Sequence, residues 1–212
     1  MSVPILRTKE HMAGVKQYDR IDLLDRAIEL FRREGYTATS TSDLVAELGV
    51  NRKSMYAEFG SKQELFEAAL ERYSAHHLTA ILAPIEASDA GVDAIRALLA
   101  GFVDASKGLG RGRGCLLCNT AVERAALDPG ARRYVDAYLE RITRAFTHAL
   151  KNAQCSGELN SDVDIDQLAS FLTVAFVGLS AALRAEATSE LVGAACRVVT
   201  DMLDNAGGYP QS

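Results

Sequence analysis

The stretch GYTATSTSDLVAELGVNRKSMYAEFGSKQEL, residues 35–65, decides the fold. It predicts two short helices joined by a tight turn, with a third helix beginning at its end. The first short helix is Thr41–Leu48, whose apolar residues recur at helical spacing on one face. Ser40 is suited to cap this helix, because its hydroxyl can accept a hydrogen bond from an unpaired backbone N–H. Gly49 can then adopt the left-handed conformation that commonly ends a helix.

The second short helix is predicted over Arg52–Glu58, with Asn51 as its N-cap. A helix of this length is not stable alone, and two such helices around a tight turn indicate a helix-turn-helix. Arg52–Glu58 would be the recognition helix, which lies in the major groove of DNA. Its exposed side chains are donors suited to phosphates and base edges. The residues expected to contact DNA are Thr39, Thr41, Ser42, Asn51, Arg52, Lys53, Ser54, Tyr56 and Lys62.

The composition of the 212-residue chain favours an all-α protein that can bury a sizeable core. Its net charge of −5 is unevenly divided: residues 1–62 contain ten Lys/Arg and nine Asp/Glu, and the remainder contains thirteen and nineteen. An acidic body aids solubility while local basic residues meet the DNA. The first twenty residues lack the apolar segment of a signal peptide, and no apolar run reaches the ~18 residues of a membrane span. We therefore expect a cytoplasmic protein without a membrane partner.

Three segments resemble the TetR family of bacterial transcriptional repressors: LFRREGY (30–36), TSTSDLVAELGV (39–50) and MYAEFGSKQELF (55–66). The resemblance implies a ligand-responsive repressor, with a three-helix head that binds DNA and a helical body that binds a small-molecule effector and forms a homodimer. No cofactor is expected. The two recognition helices would enter successive major grooves of a pseudo-palindromic operator, roughly 34–36 Å apart. The expected division is a mobile N-terminal arm over 1–17, the DNA-binding domain over 18–62, the effector-binding and dimerisation domain over 63–206, and a tail over 207–212.

Apolar periodicity also predicts the helices outside the helix-turn-helix. The last two are more apolar than one small core requires, so with their copies from a second subunit they can form a four-helix bundle. Pro84 is expected to end the helix that leaves the head. The predicted helices cover about 18–34, 62–82, 92–106, 115–126, 129–154, 165–187 and 189–205. The residues expected in the dimer interface are Leu179, Leu183, Leu191, Val198 and Met202.

The effector pocket is expected inside the body, where the pockets of the resembled family usually lie. Side chains in that region are mostly apolar or aromatic, which suits a hydrophobic or planar molecule. Each of them is equally compatible with an ordinary core position. The candidate pocket residues are Tyr73, Phe102, Cys118, Asn119, Val122, Tyr138, Ile142, Leu172 and Phe176.

Cys115 and Cys118 form a C-x-x-C pair within RGCLLCNTAVE, residues 113–123, which resembles a G-C-L-x-x-N pattern in one branch of the same family. Three interpretations stay open. A zinc site would need a second pair of ligands, which the neighbouring sequence lacks. A thiol-based redox or electrophile sensor would rely on a helix N-terminus and on Arg111 and Arg113 to lower a thiol pKa. The cysteines can also pack as small hydrophobic residues.

The sequence offers no recognisable catalytic constellation, neither a nucleophile elbow, nor an H-E-x-x-H motif, nor a pair of carboxylates in a known context. His76 and His77 are adjacent, and adjacent helical residues point about 100° apart, which is poor geometry for one metal ion. No catalytic or metal site is therefore expected. A helical enzyme or a binding module without DNA binding is the alternative from another class, and the donor-rich surface of residues 52–56 disfavours it.

Overall fold

The computed structural model describes residues 18–108, 110–124 and 128–207. Within these ranges the regular elements are helical, which confirms the all-α prediction. The predicted N-terminal arm, residues 1–17, and residues 208–212 of the predicted tail lie outside the described residues. The helices are α1 (Arg20–Glu34), α2 (Thr41–Leu48), α3 (Arg52–Phe59), α4 (Lys62–Tyr73), α5 (Thr79–Glu86), α6 (Val92–Lys107), α7 (Leu116–Glu123), α8 (Pro129–Ser156), α9 (Ile165–Arg184) and α10 (Ser189–Ala206), and a π-helical turn, Ser74–Leu78, joins α4 to α5.

The head contains α1, α2, α3 and the start of α4, with α1 packed against both α2 and α4. The predicted caps are present. The Ser40 hydroxyl accepts from the Asp43 N–H at 3.1 Å, and the Asp43 carboxylate accepts from the Ser40 N–H at 2.8 Å. Gly49 ends α2 at φ 67°, and the Asn51 side chain accepts from the Ser54 N–H at 2.8 Å. Each side-chain cap contributes about 1 kcal/mol to the stability of its helix, a substantial amount for helices of only eight residues.

The connection between the head and the body differs from its prediction at Pro84. The helical path continues through Pro84, which lies inside α5, and ends two residues later at Glu86. A proline removes the hydrogen bond of its own position and clashes with the carbonyl of the turn before it. The helical path can still continue for the two residues that follow Pro84. The π-helical turn lies upstream, where the Ser74 carbonyl accepts from the Thr79 hydroxyl at 3.2 Å and from Arg141 Nη1 at 3.4 Å.

The body is built around α8, which packs against α9, α5 and α7, while α6 packs against α10. Asp164 caps α9 by accepting from the Gln167 N–H at 2.9 Å. This helix ends earlier than predicted, at Arg184, because Glu186 adopts a left-handed conformation with φ 56° before Thr188 caps α10. The predicted helix over 115–126 is also shorter than expected, since α7 covers only Leu116–Glu123.

An exposed apolar stripe on α10 contains three of the residues predicted for the dimer interface. Leu191, Val198 and Met202 are 62%, 59% and 39% exposed in the single chain. The neighbouring face of α9 adds two residues that were not predicted, Phe171 at 41% and Val174 at 71%. These five side chains are apolar and face solvent in the single chain.

Two of the predicted interface residues are instead buried within their own subunit. Leu179 and Leu183 are 5% and 7% exposed and belong to the hydrophobic core. The prediction was wrong for them because α9 is apolar on two faces, and composition alone does not tell which face turns inward. By length and composition alone α9 is also apolar enough to cross a membrane, a test that the core helix of a soluble protein passes as well.

Candidate DNA-binding face and effector cavity

The outer side of α3 and the N-terminus of α2 form a polar face. Ser42, Arg52 and Lys53 are exposed. Tyr56 is 39% exposed, and its hydroxyl lies 3.4 Å from the hydroxyl of Thr41, which joins the two helices of the helix-turn-helix. Two cations, several hydroxyls and an unobstructed helix surface are the groups that contact phosphates and base edges in a major groove.

Not every predicted DNA contact lies on this face. Thr39 is only 1% exposed, and its hydroxyl donates to the Gly35 carbonyl, so it supports the loop before α2 instead of pointing outward. Lys62 is half-buried at the start of α4. Its ammonium donates to the Tyr36 carbonyl at 2.6 Å and lies 4.1 Å from the centre of the Tyr36 ring. Burial lowers the pKa of Lys62.

The loop between α1 and α2 is held by the C-terminal end of α7. The Tyr36 ring, with Lys62 beside it, also lies 4.3 Å from the Arg124 guanidinium carbon, so it packs against two cations. The Glu123 carboxylate accepts from the Tyr36 N–H at 3.0 Å and from the Thr37 N–H. Burial by itself would raise the pKa of Glu123, but the hydrogen bonds from Thr37 and Tyr36 outweigh it and hold that pKa low.

Gly35 makes this contact possible. It has φ 85°, a conformation that side chains rarely adopt, and a Cβ added there would lie 2.8 Å from Glu123 Oε2. We name the set Gly35–Thr37, Lys62, Glu123 and Arg124 the Tyr36 junction. It fixes the DNA-binding head to the body immediately before the helix-turn-helix begins.

A second contact between the head and the body lies at Arg32, near the end of α1. Arg32 Nε and Nη2 donate to the Gly114 carbonyl at 3.2 and 2.8 Å. Asn119 closes the arrangement, because its amide donates to the carbonyls of Arg32 at 3.3 Å and of Arg113 at 3.1 Å. Asn119 therefore ties the loop before α7 to the head, and it is not a residue of the cavity wall.

A cavity of about 350 Å³ lies where α1, α4, α5, α6 and α9 approach one another. Tyr73, Phe102 and Phe176 line it, as predicted. The other residues of the candidate pocket do not line this cavity: Cys118, Asn119, Val122, Tyr138, Ile142 and Leu172. Most of these are buried core side chains, and Val122 is instead 84% exposed on the outside of α7. The wall is formed by Arg32, Tyr73, Leu78, Ile81, Pro84, Ala97, Leu98, Gly101, Phe102, Ala105, Gly110, Gly114, Cys115, Phe176, Ser180 and Leu183.

The residues that the sequence failed to identify have two origins. Leu98, Gly101 and Ala105 share a face of α6 with Phe102 at helical spacing, so their place in the wall was predictable once one member was chosen. Arg32 was not predictable, since it belongs to the head and reaches the cavity only through the packing of α1 against the body.

The two cysteines of the C-x-x-C pair occupy different environments. Cys115 lines the cavity, whereas Cys118 faces the core and its thiol lies 3.6 Å from the Val177 carbonyl. Burial, with Cys115 close by, raises the pKa of Cys118 to about 11. Cys118 is therefore a neutral thiol near pH 7, which fits the interpretation of a packed small hydrophobic residue and does not favour the thiol-sensor interpretation for this cysteine. All four cysteines are free.

In residues 18–108, 110–124 and 128–207 no three His, Cys, Asp or Glu side chains lie close enough together to hold a metal ion. The zinc interpretation of the cysteine pair gains no support from that part of the chain.

The polar face on α2 and α3, borne by a helical body with an apolar cavity, defines a DNA-binding transcriptional regulator of the helix-turn-helix class. The family model described as "Bacterial regulatory proteins, tetR family" matches residues 23–69, and "Tetracyclin repressor-like, C-terminal domain" matches residues 91–199. The chain belongs to the TetR family.

Individual relatives are similar over most of their length. The uncharacterized HTH-type transcriptional regulator YezE of Bacillus subtilis (strain 168) is 35% identical over 170 residues, which covers 80% of this chain and 88% of YezE. The HTH-type transcriptional repressor ComR of Escherichia coli (strain K12) is 30% identical over 186 residues, covering 86% and 87%. A cysteine mutant of the TetR family regulator CifR, solved with a 26-base-pair operator DNA, has a TM-score of 0.78 at 25% identity and covers 88% of this chain and 98% of its own.

Proposed function

We propose that this regulator is a homodimeric repressor that binds a pseudo-palindromic operator and releases it when a small molecule enters the cavity. The observation that carries the proposal is the position of the cavity. Its wall includes Arg32 of α1, a helix of the head, and Tyr73 at the end of α4, the helix that leads from the head into the body, together with Gly114 and Cys115, which precede α7. A molecule in the cavity would touch the parts of the chain that fix the head to the body.

The dimer is proposed to form through the stripes on α9 and α10, with Phe171, Val174, Leu191, Val198 and Met202 at its centre. The exposure of these five apolar side chains in the single chain supports this choice. Two heads joined in this way bind two half-sites, and the second half-site is bound at the high effective concentration that the joined head provides. The DNA-binding domain is proposed over 18–62 and the body over 63–206.

Release requires the effector to prefer one arrangement of the heads over another. The Tyr36 junction and the contact from Arg32 to Gly114 are the ties that a ligand in the cavity could loosen. A coupling of about 1–3 kcal/mol between effector and operator is typical of such switches. We assign the chain no catalytic role, in keeping with relatives that are named as regulators.

Gly101→Phe tests the proposal without knowledge of the effector. A Cβ added at Gly101 meets nothing within 4 Å, so an aromatic ring there projects into the open space that an effector would occupy. We expect the variant to fold as a dimer and to bind DNA from the upstream region of its own gene at least about tenfold more weakly than the parent. Val122→Phe, at the position that is 84% exposed on the outside of α7, controls for the added ring itself.

Unchanged operator binding by Gly101→Phe would argue against a cavity that controls the head. Loss of the dimer in this variant, measured by sedimentation, would mean that the ring disturbs the body and that the DNA result says nothing about the cavity. In that case Ala105→Leu, a smaller addition to the same wall, replaces it and must meet the same criterion.

A further inference from the structure

Arg32 gives the cavity a single charged group. It is the one charged side chain among the described residues of the wall, and the other lining side chains are mostly aliphatic or aromatic. The Arg32 side chain is 16% exposed and its guanidinium carbon lies 5.7 Å from the centre of the Tyr73 ring. A molecule that fills this cavity therefore meets mostly apolar walls that contain one cation.

The edge of Arg32 best suited to an anion, formed by Nε and Nη2, contacts only one acceptor oxygen. Nη1 pairs with Glu29 at 2.9 Å, but Nε and Nη2 both point to the single carbonyl oxygen of Gly114. The Nε–Nη2 edge carries two parallel N–H groups, which match the two oxygens of a carboxylate. Gly114 also lines the cavity, so the edge lies at the wall and a ligand can reach it by displacing one carbonyl contact.

The surrounding charges favour an anion at this edge. Glu29 is shared between Arg32 and Arg113, with Arg113 Nη1 at 3.0 Å from Glu29 Oε2. Arg184 adds a third guanidinium group, and it donates to the Gly112 carbonyl at 2.9 Å, next to the same loop. Glu186, beside the same loop, is paired with Arg111 at 3.8 Å. Arg32, Arg113 and Arg184 thus share one other carboxylate, Glu29, and this excess of positive charge favours an anion.

We propose that the effector is a small amphipathic carboxylate, with an aliphatic or aromatic body in the cavity and its carboxylate on the Nε–Nη2 edge of Arg32 in place of the Gly114 carbonyl. The proposal deepens the ligand-responsive function proposed above and rests on it. Because Arg32 belongs to α1, the carboxylate would bind directly to the DNA-binding head while it frees the loop before α7. Ligand recognition and release of the head would then be one event.

The test uses two acids, octanoate and phenylbutyrate, and the corresponding uncharged primary amides as isosteric controls, titrated into the full-length dimer by calorimetry. The amide keeps the shape and loses the charge. We expect at least one acid to bind about tenfold or more tightly than its amide, the difference that a charge-assisted bidentate pair gives. Gly101→Phe should abolish binding of both members of the pair, which places them in the cavity.

Three variants assign the preference to Arg32. Arg32→Gln should bind acid and amide within about threefold of each other, and Arg32→Lys, which keeps the charge without the fork, should recover only part of the preference. Arg113→Gln removes the neighbouring cation that also pairs with Glu29 but does not line the cavity, and it should lower the preference for the acid much less than Arg32→Gln does. Circular dichroism and sedimentation check that each variant is a folded dimer.

Binding of neither acid, equal binding of acid and amide by the parent, or an acid preference that survives in Arg32→Gln would each overturn the proposal. Operator binding measured in the same samples separates it from the function on which it rests. If amides bind the cavity as tightly as acids and both release DNA, the proposal of a ligand-responsive repressor stands and the proposal of a carboxylate effector is wrong. If acids bind through Arg32 and DNA stays bound, carboxylate binding at Arg32 is correct and the proposed release of the operator is wrong.

Discussion

Glu123→Ala removes the carboxylate that holds the head to the body, without altering any residue on the polar face of α2 and α3. Glu123 accepts from the N–H groups of Tyr36 and Thr37 and lies against Gly35, so its loss frees the loop that leads into the helix-turn-helix. We expect the variant to remain a folded dimer whose heads are less firmly oriented, and to bind its operator more weakly.

The size of the effect depends on the exposure of the two N–H groups. A hydrogen bond to a charged group contributes about 1.5–3 kcal/mol, but Thr37 is exposed and water can replace most of its bond. Tyr36 is half-buried and loses more. We therefore expect a destabilisation of about 1–3 kcal/mol for Glu123→Ala, below the sum of two complete bonds. Glu123→Gln keeps one acceptor oxygen and should cost about half as much.

Operator affinity is measured by fluorescence anisotropy at several salt concentrations. Affinity falls in proportion to the fraction of dimers with both heads correctly placed. A junction weakened by about 1.4 kcal/mol lowers the equilibrium constant for placing each head about tenfold, so affinity falls by up to that factor for each of the two heads. The slope of affinity against salt should not change, because that slope counts phosphate contacts and Glu123 makes none of these. Glu140→Ala, which breaks an exposed ion pair with Arg144 on α8, is the matched control and should cost less than about 1 kcal/mol.

The pH dependence gives an independent check. The hydrogen bonds from Thr37 and Tyr36 lower the pKa of Glu123 despite its burial. A lowered pKa in the folded state means that the stabilisation is fully present above the unfolded value, about 4.3, and is lost as pH falls through the folded value. The stability difference between the parent and Glu123→Gln should therefore persist at pH 7 and shrink below about pH 4.

Wild-type operator affinity in Glu123→Ala, together with a destabilisation no larger than that of Glu140→Ala, would refute the reasoning. A lower salt slope in Glu123→Ala would refute it differently, since it would mean that this region contacts phosphates.

Three further predictions concern single residues. Val198→Glu should leave the helices intact by circular dichroism and dissociate the dimer in sedimentation. Val198 is exposed in the single subunit, so the carboxylate of the new glutamate would be buried only where two subunits meet. An intact dimer would mean that Val198 does not lie in the interface. Lys62→Ala should weaken operator binding with an unchanged salt slope, since its ammonium is engaged by Tyr36; a slope lowered by about one unit per subunit would instead report a phosphate contact. Iodoacetamide at pH 7.5 should alkylate the exposed Cys155 and spare the native Cys118, whose pKa is raised to about 11 by burial; labelling of Cys118 before unfolding would contradict its assignment as a core thiol.

The sequence identified the parts of the fold that depend on local chemistry. Ser40, Gly49 and Asn51 are residue types with strong preferences for particular positions at helix ends, and each occupies its predicted place. The recognition helix was predictable from these caps, because its ends are fixed by neighbours in the chain. Pro84 was misjudged because its effect depends on how close it lies to the end of the helix.

The sequence could not identify features that depend on which surfaces meet. Leu183 and Val198 are both apolar residues on apolar helices, yet one is buried in its own subunit and the other is exposed. Lys62 carries a charge that suits a phosphate, and only the fold brings the Tyr36 carbonyl within 2.6 Å of it. Arg32 is another case, because nothing in its local sequence distinguishes it from Arg33, which pairs with glutamates on the surface.

The end of α1 is a suitable place for a switch, because several hydrogen bonds connect the head to the body there and each contributes little free energy. The bond from Arg32 to Gly114, the amide of Asn119 and the carboxylate of Glu123 lie within part-buried surroundings, where hydrogen bonds contribute about 0.5–3 kcal/mol each. Losing one or two of them matches the coupling of about 1–3 kcal/mol that a regulator needs. A fully buried and inflexible connection would demand more free energy than a small ligand can provide, whereas a looser one would leave the heads poorly oriented even without ligand. The chain from Arg32 to Thr37 also begins at the cavity wall and ends at the loop before α2, so a ligand that changes its position changes the orientation of the adjoining helix-turn-helix.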